Sequence, residues 1–154
     1  MNKFTKLEIK LKNLNVEPLR IARFFYLKGI VSHLVIQKLV YFSFLEGLKN
    51  DLLLFSETFQ AWKYGPVLRS VFDEMTNCSD LDVMFAQVSA LRRSEVIQLL
   101  ENAYQSNKSL STWDLVDKSH YGPWQKARDN LPTEETSTQE IELKELFNFA
   151  KTKK

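Results

Sequence analysis

The residue types able to do bond-making chemistry are few in this chain, and they are widely separated. His33, Cys78 and His120 are the available soft metal ligands, and no Cys-x-x-Cys or His-Glu-x-x-His spacing relates them. No metal site is expected, and with one cysteine no internal disulfide can form. Ser119 and His120 are adjacent, but neighbours on a helix do not face each other, so they do not read as a nucleophile and its base. Asp117 stands three positions before His120, a spacing suited to a hydrogen bond that fixes the turn. Asp114 with Asp117, and Glu134 with Glu135, are the nearest things to paired carboxylates. They are better explained as charge at a helix start and as solvation of a linker. The four glycines are dispersed, so no phosphate-cradling loop exists. No catalytic residue and no cofactor is expected, and the chain does not read as an enzyme.

The recurrent feature is aromatic. Trp62-Lys63-Tyr64-Gly65-Pro66 and His120-Tyr121-Gly122-Pro123-Trp124 are two Tyr-Gly-Pro corners, each carrying a tryptophan. Tryptophan and tyrosine combine a large contact area with a polar handle and are enriched among interface anchors. Trp62, Lys63, Tyr64, Trp113, His120, Tyr121 and Trp124 are therefore the candidate partner-binding residues. The competing use of these rings is to pack the corners onto the core. Gly65, Pro66, Gly122 and Pro123 set the turns themselves.

The elements around the corners can be placed by period. Phe59 and Ala61 alternate with Gln60 and Trp62, which predicts a short half-buried strand. Pro66 suits the first residue of a helix, predicted to run to about Met75. Earlier, Leu7, Ile9 and Leu11 alternate with charged residues and suggest an edge strand. A helix is expected from Glu17-Pro18 to Gly29, and a second from Ser32 or His33 to Leu48. This second helix, which includes Lys38 and Tyr41, is apolar on most sides and should be central to the core. Leu81 to Ser89 is expected to be irregular, with Arg92 to Tyr104 an amphipathic helix. Ser111 should cap a short helix ending near Ser119-His120, and Pro123 should start another reaching about Leu131. Pro132 to Thr138 reads as a polar linker, after which Ser137 and Glu140 would cap a last helix.

The bulk numbers agree with one mainly α domain spanning 1–154, with a small β element near the Trp-Lys-Tyr-Gly-Pro corner. The chain has 154 residues, 44% hydrophobic and 26% charged, with glycine and proline at four each. The formal net charge of +2 argues against a strongly electrostatic partner. No apolar run is long enough to span a membrane, and the N-terminus lacks a signal-peptide core, so a cytoplasmic protein is expected. The helix pair within 19–48 superficially resembles a helix-turn-helix, which keeps nucleic acid as a second class of partner. A recognition helix must offer polar groups to base edges, and here it offers mainly Gln37 and Lys38.

Three blocks in order carry a resemblance. They are Ile36-Gln37-Lys38-Leu39-Val40-Tyr41-Phe42, then Phe59 to Val67, then Leu110-Ser111 to Leu115 followed by Ser119-His120, Gly122-Pro123-Trp124 and Ala127-Arg128. On these the chain resembles the SocA-like antitoxin, or Panacea domain, family, which includes phage-associated proteins of the GepA type. The resemblance covers about residues 18–128 and leaves 129–154 as linker plus C-terminal helix. Ser119 departs from it, standing where the family often has threonine. The resemblance implies a mainly helical antitoxin of a toxin–antitoxin system. Such a protein neutralises a cognate protein toxin, usually encoded by a neighbouring gene, by direct contact or as an adaptor for a protease or chaperone. The alternative function is a DNA-binding transcriptional regulator using the 19–48 helix pair.

Overall fold

A computed structural model of the chain describes residues 10–152. Eight helices and four short strands are found among them: β1 (Lys12–Asn13), α1 (Pro18–Tyr26), α2 (His33–Lys49), β2 (Leu52–Leu53), β3 (Gln60–Trp62), β4 (Gly65–Val67), α3 (Arg69–Asn77), α4 (Leu81–Ala86), α5 (Ser94–Asn107), α6 (Thr112–Ser119), α7 (Pro123–Arg128) and α8 (Leu143–Thr152). The fold is mainly α, as the composition suggests.

Helix α2 is the axis. Ser32 caps it, its hydroxyl accepting from the Val35 N–H at 3.2 Å. From Ile36 to Leu48 every residue except Glu46 is buried, because α1, α5 and α8 pack around it while β4 lies along it. Tyr41 meets Phe59, and Phe44 meets Phe55 and Phe59, with ring centroids 4.9–5.3 Å apart. Each such ring taken from water stabilises the fold by roughly 1.5–3 kcal/mol. Complete burial also corrects one expectation about this helix. Gln37 and Lys38 are not exposed to any partner; both point into the protein. Gln37 bonds both backbone groups of Leu68, accepting from its N–H at 2.9 Å and donating to its carbonyl at 3.1 Å, and Lys38 Nζ donates to the Pro66 carbonyl at 3.0 Å. The two side chains on which the nucleic-acid alternative would rely are thus occupied inside the chain.

The predicted strand at Phe59 to Trp62 exists, but it continues into a second strand where a helix is expected. β3 and β4 form an antiparallel hairpin with Ala61 opposite Pro66 and a two-residue turn, Lys63-Tyr64. Pro66 lies in a strand and does not begin a helix. The reason is visible at its partner. With Trp62 and Gly65 flanking the turn, Ala61 and Pro66 are a non-hydrogen-bonded pair whose backbone groups face away from each other. Ala61 donates its N–H to Gln139 O at 2.7 Å and offers its carbonyl to Arg128 Nη1 at 3.1 Å, while the Pro66 carbonyl accepts from Lys38. A residue without an N–H costs nothing there. The Leu68 backbone is taken by Gln37, and α3 starts only at Arg69.

The linker also contributes a strand-like line. Gln60 bridges Glu140 in antiparallel sense, and Ile141 N–H bonds Phe59 O at 2.8 Å. Ser137 and Glu140 therefore do not cap the last helix, which begins at Leu143. The stretch expected to be irregular holds a helix, α4, because Asp80 caps it and Phe85 is buried against Tyr26. Ser111 caps α6 as predicted, accepting from Asp114 N–H at 3.1 Å. Helix α7 stops at Arg128, earlier than expected, where Asp129 and Asn130 turn left-handed. Leu7 and Ile9 of the proposed edge strand lie outside the described residues; the pairing seen is β1 with β2, parallel, Lys12 beside Leu52. Among the described residues no helix is long and apolar enough to cross a membrane.

Candidate functional site

The two Tyr-Gly-Pro corners, far apart in the chain, form one structure. The Trp124 indole N–H donates to the Trp62 carbonyl at 2.7 Å. The His120 ring stacks on Trp124 at 3.9 Å and 8°, and it also hydrogen-bonds the Lys63 backbone. Arg128 also packs on Trp124, its guanidinium 4.6 Å from a ring centre, while bonding Ala61, Pro132 and Glu135 carbonyls. Trp124 is only 4% exposed. Its ring and its N–H are both used within the chain, so it supports the corners and presents almost no surface outward. His120 is half-buried and serves the same joint.

Close approach explains both glycines. Gly65 has φ +115°, and a Cβ there would fall 2.4 Å from Ser119 Oγ and 2.7 Å from Lys38 Cε. Gly122 has φ +70°, and its Cβ would fall 2.7 Å from the Phe149 ring of α8. No other residue type fits either place without displacement.

Beneath the first corner lies an unusual polar set. Lys38 is fully buried, and burial alone lowers its pKa to about 7. Its single acceptor is Pro66 O. His120 is pushed below its usual value, first by burial and then by Lys38, and its Nε2 is buried with no hydrogen-bond partner. Ser119 Oγ donates to Val116 O at 2.7 Å and is not paired with His120. The Tyr41 hydroxyl is likewise buried without a partner, and burial raises its pKa. Among the described residues no group of three or more His, Cys, Asp or Glu side chains could hold a metal ion.

What the corners present outward is narrower than the seven candidates. Tyr64, Trp113 and Tyr121 are exposed, at 46%, 59% and 60%. Tyr64 and Trp113 meet edge to face at 5.6 Å, and Tyr121 directly follows the histidine bonded to Lys63. Trp62 is half-buried on Phe72, with centroids 4.7 Å apart, and its N–H donates to Gln60 Oε1. Lys63 Nζ rests 5.3 Å from the Tyr64 ring centre. Beside this face an open groove of about 600 Å³, apolar over nearly all its wall, runs between the start of α2, the β3–β4 turn and residues 136–138.

The model of the SocA-like antitoxin family, Panacea domain, matches residues 36–125, more than half of the chain. The chain belongs to this family. The match starts in the core helix and ends just after Trp124, so it encloses both corners and the indole bond joining them. An antitoxin-type role comes with the Panacea domain. No curated protein and no solved structure matches the chain.

Two participants in this Panacea domain's site are not marked as such by the sequence. Arg128 and Gln37 are the buried clamps; both lie in blocks that carry the family resemblance, but the clamping role of Arg128 has no local signal. Gln37 and Lys38 do carry one signal: polar residues within a helix that is apolar on all sides must be buried, and buried polar groups need partners.

Proposed function

We propose that this domain neutralises a protein toxin by direct, non-catalytic contact through the exposed side of the joined corners. The observation that carries the reading is the Tyr64–Trp113 pair, two large rings held edge to face and open to solvent on a rigid support. Rings of this kind anchor interfaces with little loss of side-chain freedom on binding. The support is rigid because the Trp124, His120 and Arg128 contacts fix the turn behind it. Catalysis is not needed for this role. Ser119 donates to Val116 O, the His120 ring is stacked on Trp124 with its Nε2 buried, and the buried Lys38 has no access to a substrate.

The test is co-expression with the product of the neighbouring gene, scoring growth and co-purification. Toxicity of the neighbour alone, relieved together with a stable complex, is the expected result. Trp113→Ala with Tyr64→Ala should abolish both while leaving thermal unfolding unchanged. Relief of toxicity without a complex would instead indicate repression or handover to a protease or chaperone, and would overturn direct contact.

A further inference from the structure

The groove beside the corners has features that specify its occupant. Its wall is mainly apolar, with Trp62, Val67 and Phe72 among the residues that line it. The Lys and Arg side chains that line it are Lys63 and Arg69, both cationic, and His33 lines it too. Lys63 has no ion-pair partner among the described residues and lies over the Tyr64 ring. Arg69 lies over the Trp62 ring at 5.5 Å and meets Asp73 at 3.5 Å, with both side chains about half exposed. An ion pair so exposed holds its arginine weakly. Of the nearby carboxylates, Asp73 on α3 and Glu134 and Glu135 before the far bank, none lines the groove. That far bank, residues 136–138, is fixed at both ends. Arg128 holds the Pro132 and Glu135 carbonyls on one side, and on the other Gln139 bonds Ala61 of β3 and Ile141 bonds Phe59 just before it. The groove is therefore preformed, and its volume of about 600 Å³ suits a few side chains and no more.

The geometry points to a short acidic segment of the partner protein as the occupant, one bulky apolar residue filling the groove and flanking carboxylates meeting Lys63 and Arg69. This rests on the toxin-binding reading and adds the chemistry of the bound segment. Apolar contact supplies the anchor, and charge complementarity sets orientation and rejects basic segments.

The test selects from a displayed library of random twelve-residue peptides against the whole chain, then measures the enriched peptides by titration. Enriched sequences should share an aromatic or leucine residue beside Asp or Glu, and their binding should weaken with added salt. Ser137→Trp, which fills the groove from an irregular bank, and the paired Lys63→Glu, Arg69→Glu change should each reduce affinity at least tenfold with unfolding unaltered. No enrichment, enriched peptides without carboxylates, or affinity retained in both variants would overturn the proposal. A dimer in sedimentation that Ser137→Trp abolishes would assign the groove to a second copy and also overturn it. The two readings fail separately in the co-expression assay. A neighbour retained by Ser137→Trp but lost with Trp113→Ala sinks the groove alone. Acidic peptides that need the groove, beside a harmless neighbour that never co-purifies, sink the toxin reading alone.

Discussion

The Trp124 indole N–H donates to the carbonyl of Trp62 across 62 positions of chain. That bond, reinforced by the His120 ring on one indole contact and Arg128 on another, makes the two corners a single joint. Trp124→Phe should keep most of the packing but lose the bond, costing about 1 kcal/mol in chemical denaturation. Trp124→Ala should cost about 3–5 kcal/mol by opening a cavity. A Trp124→Phe variant as stable as the native chain would mean that the bond contributes nothing measurable.

Gly65 and Gly29 offer a controlled comparison. Both have positive φ, +115° and +94°, but a Cβ at Gly29 meets nothing within 4 Å, while at Gly65 it collides with Ser119 and Lys38. Gly29→Ala should cost about 1 kcal/mol of backbone strain, and Gly65→Ala about 3 kcal/mol or more. Thermal unfolding of the pair separates strain from collision.

Lys38 makes stability depend on pH in an unusual direction. Its folded pKa, about 7, lies below the ordinary 10.5, so between these values the unfolded chain binds more protons. Stability should rise with pH through that window, by up to about 1.4 kcal/mol per pH unit, and lie lowest below pH 7. His120, also lowered, adds to the loss on acidification below its ordinary value of 6.5. The raised Tyr41 opposes the trend only above its ordinary 10.0. Urea midpoints from pH 7 to 9.5 should climb in the native chain and stay level in Lys38→Met.

Arg128 should control the far bank of the groove. Arg128→Met removes the donor to three carbonyls, those of Ala61, Pro132 and Glu135. A loss of at least about 2 kcal/mol is expected, with the Ala61 and Ile141 amides exchanging with solvent faster than those of α2. Unchanged exchange at those two amides would show that the bank is held by its own pairing alone.

How much is legible in the sequence varies with the kind of signal. The central helix follows from its apolar circumference, and the start of α6 from the local chemistry of Ser111, because both depend on neighbours in sequence. Pro66 misleads for a tertiary reason. A proline after glycine is a sound helix start, but here the hairpin register set by Trp62 and Gly65 puts Pro66 in a non-hydrogen-bonded pair, where its missing N–H would face away from Ala61. The α4 helix is hard to read because its six residues span fewer than two turns, and its cap, Asp80, sits in a polar run that resembles a loop. Of the seven candidate contacts, aromatic type alone does not separate Trp124, sealed by Trp62 and Arg128, from Trp113, left in solvent.

The pairing of Gln139 and Ile141 with β3 bears on how the chain matures during synthesis. Until residue 141 has left the ribosome, the edge of β3 that will receive it stays open, although the hairpin and α2 are already complete. At about 5–20 residues per second, the roughly eighty residues between Phe59 and Ile141 leave that edge bare for several seconds. A product cut short after the second corner would keep it bare permanently, an invitation to pair with other nascent chains.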